Sequence, residues 1–315
     1  MMQRQKRIYL RTLALPVAIL LVGLGLSSAH ATAATATPAQ SITISPTSID
    51  QSVQPGSTNI GSFEIINSGT TNYTFHVYAT PYGVTGENYN PDFTKLPGAA
   101  DITNWFHFST TSAQVGVHQV VTVNYTIKVP VGTIAKGYYA VAFAQTQPMT
   151  DSKTGVVITD RVGEIFYLRV AGNAHQGGKL LTWQVSFLQK PPVTPVVRIE
   201  DYGAYNFPST VTVHIKNLFG RTVYSVNTTK QILPQTIRRI ALPWSSSTSI
   251  GIFKVSGTAV FLNHTYQLPN KYVLVLSPTV RLLLIGLVVL IVLAIIYRLY
   301  RRRRSKAHGK YGARR

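Results

Sequence analysis

Residues 119–129 read QVVTVNYTIKV. Val121, Val123, Tyr125, Ile127 and Val129 occupy every second position, with Thr122, Asn124, Thr126 and Lys128 between them. A period of two sends the apolar set to one side of an extended chain and the polar set to the other. A helix would scatter the same residues around its axis. NYTFHVYAT (72–80) repeats the pattern through Tyr73, Phe75, Val77 and Ala79. Both are strands with one face in a core.

Working outward, SITIS (41–45), NIGSFEII (59–66), GYYAVAFAQTQ (137–147) and GVVITDRVGEIFYLRV (155–170) read as further strands. PGS (55–57) and NSGTTN (67–72) supply turns, where Gly and Asn tolerate positive φ. About seven strands at this spacing predict an antiparallel sandwich. After a gap near AGNAHQGGK (171–179) a second set follows: LLTWQVSFL, STVTVHIKNL, TVYSVNTTKQIL, TIRRIAL, GIFKVSGTAVFL and KYVLVL, ending at Leu276. The fold class expected is all-β, with two tandem immunoglobulin-like β-sandwich domains and a single C-terminal transmembrane helix.

The ends carry membrane signals. MMQRQKRIYLR, an apolar run and Ala29-His30-Ala31 have the order of a secretory signal peptide. LLLIGLVVLIVLAIIY (282–297) is uncharged, and flanking residues bring it to the length that spans a bilayer. Arg301, Arg302, Arg303 and Arg304 follow it, and arginines in that place hold a tail on the cytoplasmic side. The boundaries expected are 1–31 signal peptide, 32–40 linker, 41–172 first sandwich, 173–277 second sandwich, 278–300 transmembrane helix and 301–315 cytoplasmic tail. The protein is thus read as single-pass in the cell membrane, with the sandwiches outside.

The formal charge of +20 invites a nucleic-acid reading. Dividing it removes the invitation, because nine of the last eighteen residues are Lys or Arg and serve topology. No nucleic-acid partner is expected. Residues 41–172 hold six Lys and Arg against eight acids, net −2, whereas residues 173–276 hold ten against two, net +8. Topology does not account for the second figure. A basic domain beside a membrane could attract anionic wall polymers or lipid headgroups, or equally present no more than a solvated basic face.

SITISPTSIDQSVQPGSTNIGSFEIINSG and VPVGTIAKGYYAVAFA resemble the first domain of the WxL-interacting proteins, surface proteins of Gram-positive bacteria. TVTVHIKN, ILPQTIRRIALPW and GIFKVSGTA are similar to their membrane-proximal domain. The resemblance implies peptidoglycan binding by the first domain and binding of surface proteins or host ligands by the second. It implies no contact residue.

Catalytic signatures fail. Cysteine is absent, which removes thiol nucleophiles and Cys-based zinc sites. Lys153-Thr154-Gly155 matches one element of penicillin-binding proteins, but no Ser-x-x-Lys accompanies it. GNAHQGGK (172–179) has the wrong spacing for a phosphate loop, and Leu180 stands where a hydroxyl is required. No enzyme, cofactor or metal is expected. The best binding candidate is the aromatic, turn-rich stretch 80–108, longer than a sandwich connection needs. In it Tyr82, Tyr89, Phe93 and Trp105 could stack on sugars or a protein, and Asn90 could bond hydroxyls; Trp105 and Phe93 could equally plug the core. The function expected is a non-catalytic envelope protein binding peptidoglycan or another wall polymer, or secreted and surface proteins, with membrane lipid around its anchor. The alternative is a ligand-binding or assembly ectodomain, pilus-chaperone-like or sensory, that acts with a membrane partner.

Overall fold

The structure is a computed structural model that describes residues 40–94, 100–150, 155, 157–245 and 250–308. The signal-peptide reading and all of the linker but Gln40 lie outside the described residues, as do Lys153 and Thr154.

In chain order the first sandwich holds β1 (Ile42–Ser45), β2 (Ser48–Val53), β3 (Thr58–Asn67), β4 (Tyr73–Pro81), β5 (Gly83–Thr85) and β6 (Asn90–Asp92). It continues with β7 (Phe106–Phe108), β8 (Ser112–Val115), β9 (Val120–Lys128), β10 (Gly137–Thr146), β11 (Met149–Thr150), β12 (Val157–Ile158) and β13 (Arg161–Val170). One sheet has the order β1-β3-β9-β7 and the facing sheet β2-β13-β10-β4-β8. Pro46 cannot donate to a ladder, and the chain changes sheets there. β1 pairs antiparallel with β3, then β2 pairs parallel with β13. The alternation of 119–129 acts as its pattern implies. Val123, Tyr125 and Ile127 lie in the core with Phe63, Phe75, Phe166 and Leu168, while Asn124 and Lys128 face water.

Two sequence expectations change here. GVVITDRVGEIFYLRV is two strands, because at Asp160 the chain turns to bond Thr146: the Thr146 N–H donates to Asp160 O (2.9 Å) and the Asp160 N–H to Thr146 Oγ1 (3.0 Å). Beyond that point β11 and β12 pair as a separate ribbon that prolongs the β10–β13 hairpin. β2 had no apolar pattern to announce it, since SIDQSV buries only Val53.

The second sandwich holds β14 (Gly178–Gln184), β15 (Leu188–Gln189), β16 (Val196–Asp201), β17 (Phe207–Asn217), β18 (Thr222–Ile232), β19 (Thr236–Ala241), β20 (Ile250–Phe261) and β21 (His264–Leu276). Its sheets are ordered β14-β16-β19 and β15-β21-β20-β17-β18. Val197, Ile199, Val211, Val213, Ile215, Val255 and Val273 are wholly buried between them. After Ser277 the chain enters α1 (Pro278–His308). Its segment Pro278–Leu299, 22 residues, is long and apolar enough to cross a membrane, and none of it is buried inside the fold. Arg301 to Arg304 continue the same helix.

The first core contains one uncompensated acid. Glu164 points inward from β13 beside Phe166, is fully buried, and neither carboxylate oxygen has a hydrogen-bond partner. Burial pushes its pKa up to about 8.

Candidate functional site

The aromatic insertion after β4 defines the site, and the structure uses it to join the sandwiches. At the end of β4 the Tyr82 N–H donates to Tyr139 O, and β5 and β6 then pair as a short hairpin. Its turn, Gly86 to Tyr89, is closed by the Tyr89 N–H on Gly86 O at 3.2 Å. Gly86 has φ 64° and Tyr89 φ 59°. For a side chain as bulky as Tyr this left-handed conformation costs of the order of 1–3 kcal/mol, and it persists only where the surroundings fix it.

The second sandwich supplies the surroundings. The Tyr89 hydroxyl accepts the Leu233 N–H at 2.9 Å and is also hydrogen-bonded to Thr236 Oγ1. The Arg238 guanidinium lies 4.1 Å from the centre of its ring. Burial pushes the phenol's pKa up, so the hydroxyl keeps its proton. One residue into the turn, Glu87 takes both arms of Arg198, including Nε to Oε2 at 2.7 Å. Its carbonyl accepts the Arg239 N–H at 2.8 Å. The Arg198 hydrogen bond holds the Glu87 carboxyl below its usual range. Under the hairpin, Val84, Tyr89, Tyr167 and Leu233 form a third apolar cluster with Tyr82, Tyr139 and Ile165 against it.

A polar chain runs alongside. Arg169 pairs with Asp50 at 2.8 Å, and Asp50 accepts Gln231 Nε2 at 3.0 Å. Asn206 donates to Gln231 Oε1 (3.1 Å) and accepts the Tyr139 hydroxyl (3.2 Å). Asp201 is fully buried nearby. One of its oxygens accepts the Gly203 N–H at 2.7 Å, the other has no hydrogen-bond partner, and burial raises its pKa to about 7. A small cleft of about 400 Å³ opens beside this chain between Ser52, Arg169, Gln176 and Tyr205. Both sandwiches and α1 belong to one compact unit.

The five candidate ligand residues therefore separate. Tyr89 belongs to the junction, where its ring and hydroxyl are already engaged. Trp105 is a core residue at 7 % exposure, 5.0 Å from the Tyr138 ring. Asn90 is exposed on the hairpin. Tyr82 and Phe93 do come together, with ring centres 6.3 Å apart. Phe93 lies on the outer face of the β13-β10-β4 sheet, 4.8 Å from Phe143, with Arg161 over both rings. Sequence reasoning did not single out Arg198, Leu233, Thr236 or Arg238. The available signal was the arginine pair of TIRRIAL, and the Arg198 of VVRIED, set against Glu87, an acid isolated in a turn. Among the described residues no three His, Asp or Glu side chains gather as a metal-ligand set.

No family model matches the chain, and no curated protein does. Among solved structures it is similar to the E. coli chaperone DraB, at 12% identity over 75% of this chain and 97% of that one, TM-score 0.37. A Salmonella enterica structure of the SafA pilin with the SafB chaperone matches at 7% identity, over 76% and 98%, TM-score 0.37. The PapD-like domain of human CEP192 matches at 20% identity over 47% of this chain and 99% of that one, TM-score 0.31. Similarity this distant carries no conclusion about activity. The two sandwiches and one helix define the class instead: an all-β chain with a single C-terminal apolar helix.

Proposed function

We propose that this is a non-catalytic ectodomain of the cell envelope, tethered by one transmembrane helix, that binds a protein partner with its first sandwich and acts in assembly at the surface. The observation carrying this reading is the β11–β12 ribbon. β10 begins at the junction, where the Gly137 N–H bonds Ala204 O, and runs away from it. The ribbon therefore stands at the end of the first sandwich far from the helix. It exposes Val157 (61 %) and Ile158 (39 %), apolar strand residues with no core to fill. A two-stranded ribbon with open edges and bare β-branched side chains suits another chain's backbone better than a sugar ring.

The test is a photo-crosslinking amino acid at Val157 of the full membrane-anchored chain in its native host. A discrete protein adduct is expected. Ile158→Asp is expected to weaken it about tenfold, the step for losing one contact residue. Absence of any adduct at 157 would overturn the reading.

The wall-polymer reading retains one supporting feature, the Tyr82–Phe93 pair with Arg161, together with Asn90 exposed on the β5–β6 hairpin. It agrees with the peptidoglycan binding that the resemblance to WxL-interacting proteins implies. Retention of the chain by isolated sacculi, lost in Tyr82→Ala/Phe93→Ala, would favour it.

A further inference from the structure

The helix-proximal end of the second sandwich carries a surface that neither the core nor the junction explains. Ile252 on β20 pairs with Leu274 on β21, and Leu274 with Leu188 on β15. These three form an apolar row across the outer face of the sheet, with Leu188 51 % and Ile252 41 % exposed. The next row toward α1 is Ile250 opposite Leu276, and Ile250 is 53 % exposed. The turn after β17 ends at the same level, because Asn217 pairs with Phe253. Asn217 Oδ1 accepts the N–H groups of Phe219 and Arg221, both at 3.0 Å. That clamp holds Leu218 at 66 % and Phe219 at 95 % exposure.

Immediately behind the apolar rows stand Lys216, Lys254 and Tyr272. Lys216 is directly opposite Lys254, and Lys254 opposite Tyr272. Like charges facing each other across strands destabilise a sheet unless something anionic meets them. No acid in this sandwich can do so. Its two, Glu200 and Asp201, lie at the end of β16, where Glu200 pairs with Lys179 and Asp201 lies by the junction. Only Ser277 separates β21 from α1.

We infer that this end of the second sandwich, with the Leu218–Phe219 turn at its tip, seats in the headgroup layer of an anionic bilayer. The inference rests on the reading that α1 spans that bilayer. The order of the rows matches the depth profile of an interface: aliphatic and Phe side chains lowest, then a tyrosine and lysines at phosphate level. A covering protein would need acids to meet Lys216 and Lys254, and the bilayer that receives α1 already brings anions to this position. Two of the domain's eight surplus charges so acquire a partner.

The chain lacks cysteine, so single-cysteine spin labels need no background removal. The full chain would be labelled at Leu218→Cys or Ile250→Cys and reconstituted into vesicles of phosphatidylcholine with or without phosphatidylglycerol. Collision with oxygen and with a water-soluble nickel chelate reads depth. With phosphatidylglycerol both labels are expected to shift toward the oxygen-rich, nickel-poor values of a Val289→Cys label in α1. Lys216→Glu/Lys254→Glu should abolish that shift and leave the Val289 label unchanged. Labels at 218 and 250 that stay as nickel-accessible as one at Val157→Cys, while the Val289 label is lipid-buried, would overturn the inference alone. A nickel-accessible Val289 label would overturn the spanning reading beneath it.

Discussion

Tyr89→Ala is expected to split the unfolding of the two sandwiches into separate transitions. In the native chain the ring fills the third cluster, the hydroxyl bonds Leu233 and Thr236, and Arg238 covers the face. Truncation leaves a cavity and strands a buried backbone N–H. Aromatic-to-alanine changes of this kind cost about 3–5 kcal/mol. Alanine recovers none of the left-handed backbone cost, which glycine alone would relieve. Scanning calorimetry of the detergent-solubilised chain should show one transition becoming two, with the second sandwich near its original Tm. Tyr89→Phe keeps the ring and should lose only about 1–2 kcal/mol. A single unshifted transition in the alanine variant would show that the hairpin does not couple the domains.

Lowering the pH from 8 toward 5 is expected to stabilise the first sandwich, contrary to the usual acid response. The folded pKa of Glu164, about 8, stands above the ordinary glutamate value of 4.5. Between those values the folded state binds more protons than the unfolded state, so stability falls as pH rises. It is fully present below about 4.5 and lost through about 8. Asp201, raised to about 7 from 3.8, acts in the same direction over a lower window. For Glu164 the span is of the order of 3 kcal/mol. Glu164→Gln cannot ionise, so its Tm should exceed the native value at pH 8 and the rise on acidification should flatten. If the variant keeps the full native pH slope, Glu164 is not the group responsible.

The strands that face one core were legible because burial on one side writes itself as a period of two. QVVTVNYTIKV and TVTVHIKNL are of that kind. Among those that were not, β2, β5, β6 and β16 each have a physical reason. β2 is an edge strand with a single buried side chain, β5 and β6 have three residues each, and β16 opens with two adjacent buried valines. The insertion's importance could be read from its length, its role could not. A tyrosine that stacks on a ligand and one that stacks under an arginine from another domain have the same local sequence. The difference lies in Arg238 and Leu233, roughly 150 residues away. The helix was the most legible element of all, since its signal is composition and not contact.

The way β21 enters α1 also sets how the protein bears load. β21 runs thirteen residues with β20 on one side and β15 on the other, and it ends one residue before the helix begins. If the first sandwich holds a partner and α1 spans a membrane, as proposed, traction between the two pulls β21 along its own length. Ladder hydrogen bonds lie across that direction. They share the force in shear and must give way together, whereas a strand drawn sideways from an edge would unzip one bond at a time. The fold therefore resists force best along the strand that leads into α1.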